Sequence, residues 1–245
     1  MTYDALFRAY EYLTTRGIPM PDDIKAELIR LGLPATKALQ EYDNSLHRIV
    51  SMYIMDLRTK PLNEVMNFGI EFARAIDAGL NEAWRLGMRE NDVSEMDDEM
   101  QAIVDEYIAS EREHIPDFAE YITQEALNAE TLGEAINGVA NRLAMWITRY
   151  EDVRNNAILY TADEKTKLIW IYGDTQHCST CAALNGIVAY AREWDLFPFR
   201  PQNPKNDYLE CGGWRCQCQL IPTDNRHTRD ATDKLQAIYD SLGAE

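Results

Sequence analysis

The sequence predicts an α+β chain in two parts, mainly helical at first and then a small α+β module. Three observations carry that expectation. Apolar residues recur at three- and four-residue steps through residues 1–160, the period of a helix with one buried stripe. After Ala157 the texture changes to short β-branched and aromatic runs punctuated by Gly and Pro, which suits short strands. All five cysteines then fall within 41 residues, as Cys178-x2-Cys181-x29-Cys211-x4-Cys216-x-Cys218. At 245 residues and 46% apolar composition the chain can bury a real core, most naturally in more than one unit. The expected divisions are 1–130, 131–225 and 226–245.

The elements follow in chain order. Leu39, Tyr42, Leu46, Ile49, Tyr53 and Leu57 form one helical stripe. Pro61 is placed to open a second helix, where its missing N–H would have had no partner, and Leu62, Val65, Phe72, Ile76, Leu80 and Ala83 continue the period. Met96, Met100, Ile103 and Tyr107 mark a third behind Asp97, Asp98 and Glu99, acids that complement the helix dipole. The run from Glu95 to Glu99 reads as a solvated helix start, since one helical turn points its carboxylates apart. Pro116 is expected to break this helix. Thr131-Leu132-Gly133-Glu134 has capping-box spacing and precedes Ile136, Val139, Leu143, Ile147 and Tyr150. These stripes, with Met52, Met55 and Trp84, are core by default and need no cofactor. Residues 167–172 read as a strand ended by Gly173-Asp174, residues 187–190 as a second and residues 216–221 as a third. Between them lie a thiol-bearing turn at 178–186 and a loop with Pro198, Pro201 and Pro204. Leu235, Ile238, Tyr239 and Leu242 give a terminal helix.

Two close-spaced thiols facing a second close-spaced group is how proteins offer four soft ligands to a tetrahedral ion. The metal candidates are Cys178, Cys181, Cys211, Cys216 and Cys218, with His177 as a further possible ligand. Cys216 and Cys218 would point the same way on a strand. Structural Zn2+ is the expected cofactor, standing in for a core the module is too small to build, so that losing one ligand should unfold residues 165–222. Disulfides and free or redox thiols are the competing readings. Disulfides need an oxidising compartment, and the first residues show neither a basic n-region nor an apolar h-region. No apolar run is long enough for a membrane span.

The net charge is −17. Residues 1–160 hold 15 basic and 29 acidic side chains, a balance that repels phosphates and argues against general duplex-DNA binding. Docking on a basic protein partner is the sharper alternative to simple solubility. Arg192, Arg200, Lys205, Arg215, Arg226 and Arg229 leave room for local DNA contact by the C-terminal part. Four or five thiols argue for a closed structural site rather than a catalytic one with an open position. No Walker A, dinucleotide-binding, His-Glu-x-x-His, Gly-x-Ser-x-Gly or deaminase pattern occurs. The expectation is therefore not an enzyme, with a metal-dependent nuclease using Asp174, Glu193 and Asp195 kept as an alternative. His47 and His114 lie in helical segments and read as surface or core residues.

Residues 132–222 resemble a known family. The helix Thr148-Arg149-Tyr150-Glu151-Asp152-Val153-Arg154-Asn155-Asn156-Ala157 is followed by a strand with Trp170 and Asp174. Then come Cys178-x2-Cys181-Ala182-Ala183-Leu184-Asn185-Gly186 and Cys211-Gly212-Gly213-Trp214-Arg215-Cys216-Gln217-Cys218. In order and spacing these resemble the phage Mu F-like minor head proteins, or phage head morphogenesis proteins. Tyr150 stands where Thr is usual, and Cys211 with its Gly-Gly stands where many members have His-Pro. The resemblance implies a virion component of a tailed bacteriophage, located in the phage head and assembled in the host cytoplasm. Its implied partners are the portal or major capsid protein, with possible contact to packaged DNA and no membrane. Its implied role is head morphogenesis, DNA packaging or DNA ejection. The alternative is a zinc-ribbon-like nucleic-acid-binding or processing protein.

Overall fold

In the computed structural model, which describes residues 33–172, 177–213 and 217–242, the N-terminal stripes become a helical bundle. Helix α1 (Leu33–Thr59) turns Leu46, Val50 and Ile54 inward, whereas Met52 and Met55, expected in the core, are 44% and 47% exposed. Helix α2 (Phe68–Arg89) starts later than Pro61 suggested. Pro61 leads only into a 3-10 turn, Leu62–Glu64, and both Pro61 and Val65 are extended. Asn67 sets the start instead, its side chain accepting from the Ile70 N–H, because a polar cap satisfies an orphan donor that proline cannot. Leu62 is left 85% exposed, off the stripe. Helix α3 (Asp98–Arg112) is capped by Asp97, which accepts from the Met100 N–H at 2.8 Å. Pro116 does not simply end a helix: it sits in the first turn of α4 (Ile115–Asn128). Arg58 holds the far end of α4, donating to the carbonyls of Ala126, Ala129 and Glu130 that a helix C-terminus leaves unpaired.

Helix α5 (Leu132–Thr161) opens with the expected box, in which the Glu134 N–H donates to Thr131 Oγ1 and the Thr131 N–H to Glu134 Oε2. Its apolar side meets Phe72 and Phe118 through Trp146, with ring centroids 5.1 and 4.6 Å apart. Gly87 of α2 allows α5 to come close, since a Cβ there would lie 2.4 Å from the Arg154 carbonyl. Among the described residues, no helix is long and apolar enough to cross a membrane.

The C-terminal module is a three-stranded antiparallel sheet in the order β2-β1-β3, with β1 (Lys167–Ile171), β2 (Val188–Tyr190) and β3 (Gln219–Pro222). Leu168 pairs with Ala189 on one side and Pro222 on the other. The third strand starts at Gln219, so Cys218 precedes it rather than lying on it. Short helices α6 (Ser179–Leu184) and α7 (Ala191–Asp195) cover the sheet with α8 (Ala231–Leu242). Trp170, Leu184, Trp194, Phe199, Leu220 and Leu235 form a fully buried core with Ile158 from the end of α5. The module thus has an apolar core of its own, and metal is not its sole source of cohesion. This corrects the expectation that an ion replaces the core.

Helix α5 belongs to both parts, and its middle carries charge where a core stripe would continue. Arg154 is 1% exposed and donates from Nη1 to Glu151 and from Nε to Glu90. Arg149 reaches Glu111 and Asp152, both at 2.6 Å. Burial opposes the Arg154 charge, but the two carboxylates outweigh it and keep the guanidinium protonated.

Candidate metal centre

The chain folds the first thiol pair into a tight turn at the start of α6. Cys178 is extended and caps α6, its sulfur accepting from the Cys181 N–H at 3.4 Å. Two residues of spacing bring the second thiol back over the first, and Asn185-Gly186 ends the turn with Gly186 in the left-handed region at φ +81. The second loop brings Cys211. The sulfurs of Cys178, Cys181 and Cys211 all lie within 4.8 Å of one another. Metal–thiolate bonds of about 2.3 Å place tetrahedral sulfurs roughly 3.8 Å apart, so closure on an ion requires shifts of about 1 Å at most. No disulfide joins Cys178, Cys181, Cys211 and Cys218 to one another. Three soft donors around one point, one of them buried and two half-buried, fit a thiophilic metal ion.

A second set of contacts locks the two loops together. The Glu210 carboxylate, next to Cys211, accepts from the Ser179 N–H at 2.8 Å and its hydroxyl at 2.6 Å. These bonds hold the Glu210 carboxyl below its ordinary range. In return the Glu210 N–H donates to the Thr180 hydroxyl. Glu210 therefore sets the spacing between Cys211 and the Cys178–Cys181 turn without offering an atom to the ion. Replacing it as Glu210→Ala should weaken metal affinity about tenfold or more, as loss of such supporting bonds does elsewhere. Competition with a metallochromic chelator reads the change.

The proline loop ties this centre to the bundle. Gln202 donates from Nε2 to the Cys218 carbonyl, and Asn203 donates from Nδ2 to Asp152 of α5 at 3.0 Å. Gly213 packs on the Asn203 carbonyl so closely that a Cβ would stand 1.9 Å away. No side chain fits there, and with φ +73 only glycine is unstrained. Asp152 is fully buried, and burial pushes its carboxyl up to about 6 despite Arg149, Asn203 and Asn156. An unfolded aspartate titrates near about 4, so between those values the folded chain holds a proton the unfolded chain lacks. Stability from this residue is then highest at low pH and is lost as pH rises through the folded value. Wild type should lose about 1 kcal/mol relative to Asp152→Asn between about pH 5.5 and about pH 7.5, measured by urea unfolding of both.

The remaining candidates are placed as follows. Cys218 is 1% exposed and sits outside the three-thiol group, 3.7 Å from His177 Nδ1. His177 stacks on Tyr172 with centroids 3.6 Å apart. Cys216 and Asp174 lie outside the described residues. Glu193, weighed as a nuclease ligand, accepts from the Tyr190 N–H and the Thr232 hydroxyl and pairs with His227 at 2.6 Å. Asp195 pairs with Arg200. Glu210, Gln202, Asn203 and Asp152 were not singled out from sequence. Only Glu210, adjacent to a thiol, and the acid–base pairs three residues apart on α5 left any local signal.

No family model matches the chain, and neither does any curated protein or solved structure.

Proposed function

We propose that this chain is a structural minor head protein of a tailed bacteriophage, bound near the portal vertex and acting in head morphogenesis, packaging or ejection of DNA. What supports the reading is one juxtaposition. The pieces on which the Mu F-like resemblance rests are far apart in sequence, yet they are contiguous in the fold. Helix α5 with Arg149, Asp152 and Arg154 contacts the proline loop through Asn203, and that loop leads to Cys211, beside Cys178 and Cys181. A pattern spread over some ninety residues that converges on one seam is what a shared architecture would produce.

In this reading the ion is Zn2+, held by Cys178, Cys181 and Cys211 with a fourth ligand from Cys216, Cys218 or His177. Zinc supplies a rigid tetrahedral node and no redox chemistry, which suits a part that must keep its shape during assembly. The role is one of assembly and not catalysis. The partner is the portal or the major capsid protein, and the acidic helices would face its basic surface. Any contact with packaged DNA falls to the C-terminal module, where Arg192, Arg200, Lys205, Arg226 and Arg229 lie.

Co-expression with the portal and capsid proteins of the same genome tests this. The expected result is co-sedimentation of the full chain with the portal ring in sub-stoichiometric amount. Absence of that association, together with tight DNA binding that weakens steeply with salt, would replace it with the nucleic-acid-binding alternative.

A further inference from the structure

Residues 92–134 contain fourteen acidic side chains against one Lys or Arg. Against that background, one cleft of about 260 Å³ is rimmed by cations, at the place where α3, α4, α5 and the proline loop meet. Arg142, Arg149 and Lys205 line it with His114, while Phe118, Met145 and Trp146 supply apolar wall. Arg149 is committed to Glu111 and Asp152. Arg142 lies over the Tyr121 ring, 4.5 Å from its centroid. Among the described residues no carboxylate pairs with Arg142 or Lys205, and Asp117 is the one uncommitted acid on this rim.

Two features of the cleft wall are unfavourable as they stand. Trp146 is 5% exposed and its indole N–H is buried without a partner. A buried donor left unpaired is unfavourable, and it makes the Trp146 indole a reporter of anything polar that enters beside it. Lys205 holds a left-handed backbone at φ +62, a conformation unfavourable for a non-glycine residue and retained where the surroundings demand it. The cleft beside Trp84 also has an unpartnered indole N–H, but its Arg200 is occupied by Asp195 and by backbone carbonyls, which leaves Arg192 as its one cation without a carboxylate among the described residues.

We infer that this cleft binds a monocarboxylate carried on an apolar body, with the carboxylate between Arg142 and Lys205 and the body against Phe118, Met145 and Trp146. Two free cations against one acid leave a single positive charge to match, which favours a carboxylate over a dianionic phosphate. The volume falls below that of drug-sized pockets, roughly 300–1,000 Å³, and suits one residue-sized group. A chain-terminal apolar residue of a protein partner and a free arylalkanoic acid share this chemistry. The site is separate from the thiol cluster and does not depend on the assembly role.

Titration of the full chain, labelled with 15N at its tryptophan indoles, tests the site. The reporter is the indole N–H signal that disappears in Trp146→Phe. 3-Phenylpropionate should shift it saturably, and 3-phenylpropionamide, which has the same shape without the charge, should leave it still. Arg142→Gln with Lys205→Gln should weaken binding about tenfold or more, and Asp117→Asn should strengthen it. If N-acetyl-glycyl-phenylalanine binds more tightly than 3-phenylpropionate, the occupant is a chain terminus; the reverse order makes it a small acid. Equal shifts from the acid and its amide, an unchanged affinity in the double variant, or saturation by inorganic phosphate alone would overturn the inference.

Discussion

Replacing Cys181 by Ser should abolish metal binding at the thiol cluster and open the two thiol loops while leaving the helical bundle folded. Cys181 is buried between Cys178 and Cys211, and a hydroxyl is a far poorer ligand for a thiophilic ion than a thiolate. Structural zinc contributes about 10–16 kcal/mol in isolated zinc-finger peptides. Here the loops are already braced by Glu210, Gln202 and Asn203, so the loss should be smaller, about 5 kcal/mol in the local opening free energy of residues 178–184 and 209–213. The sheet should persist, because Trp170, Trp194, Phe199 and Leu220 bury an apolar core of their own. Hydrogen exchange resolves the two outcomes. Fast exchange confined to the thiol loops is expected, and loss of protection throughout residues 165–222 would mean that the apolar core cannot stand without metal.

Arg154→Met carries the second large effect. The guanidinium is enclosed and faces Glu151 at 3.0 Å and Glu90, both of which are mostly buried. Removing the cation leaves two carboxylates in a low-dielectric interior, and breaking a buried pair from one side costs about 3–5 kcal/mol. Methionine preserves much of the volume, so the loss is electrostatic and not a cavity effect. Adding Glu90→Gln and Glu151→Gln to Arg154→Met should recover most of the stability, since no unpaired charge then remains. Urea unfolding at neutral pH measures both. A triple variant as unstable as the single one would place the cost in packing instead.

Helical periodicity made much of this fold legible. The stripes of α1 and α5 appear where the spacing put them, and the caps at Asp97 and Thr131 start their helices as their chemistry requires. The two prolines differ from expectation in opposite ways. At Pro61 the fixed φ suits a helix start but there is no side-chain acceptor, so Asn67 caps α2 instead; at Pro116 the same fixed φ places the residue in the first turn of α4, after α3 has ended at Arg112. The apolar spacing of Ile115, Phe118, Ile122 and Ala126 was present in the sequence but was masked by reading Pro116 only as a stop. At the metal centre, cysteine crowding revealed the site, because thiols have few other reasons to concentrate. The braces were not legible. Gln202 to Cys218, Asn203 to Asp152 and Glu210 to Ser179 are contacts between a side chain and a distant partner, which no local period encodes. The spacing of Cys216 and Cys218 suggests one strand face, but the strand begins at Gln219, and Cys218 lies beside His177.

If Cys178, Cys181 and Cys211 close on one ion, X-ray absorption at the metal edge of the purified full chain, paired with elemental analysis, will show it. About one zinc per chain is expected, with at least three sulfur neighbours at about 2.3 Å, and less metal in Cys181→Ser. A chain purified under reducing conditions that binds no metal, or a shell of oxygen and nitrogen alone, would contradict it.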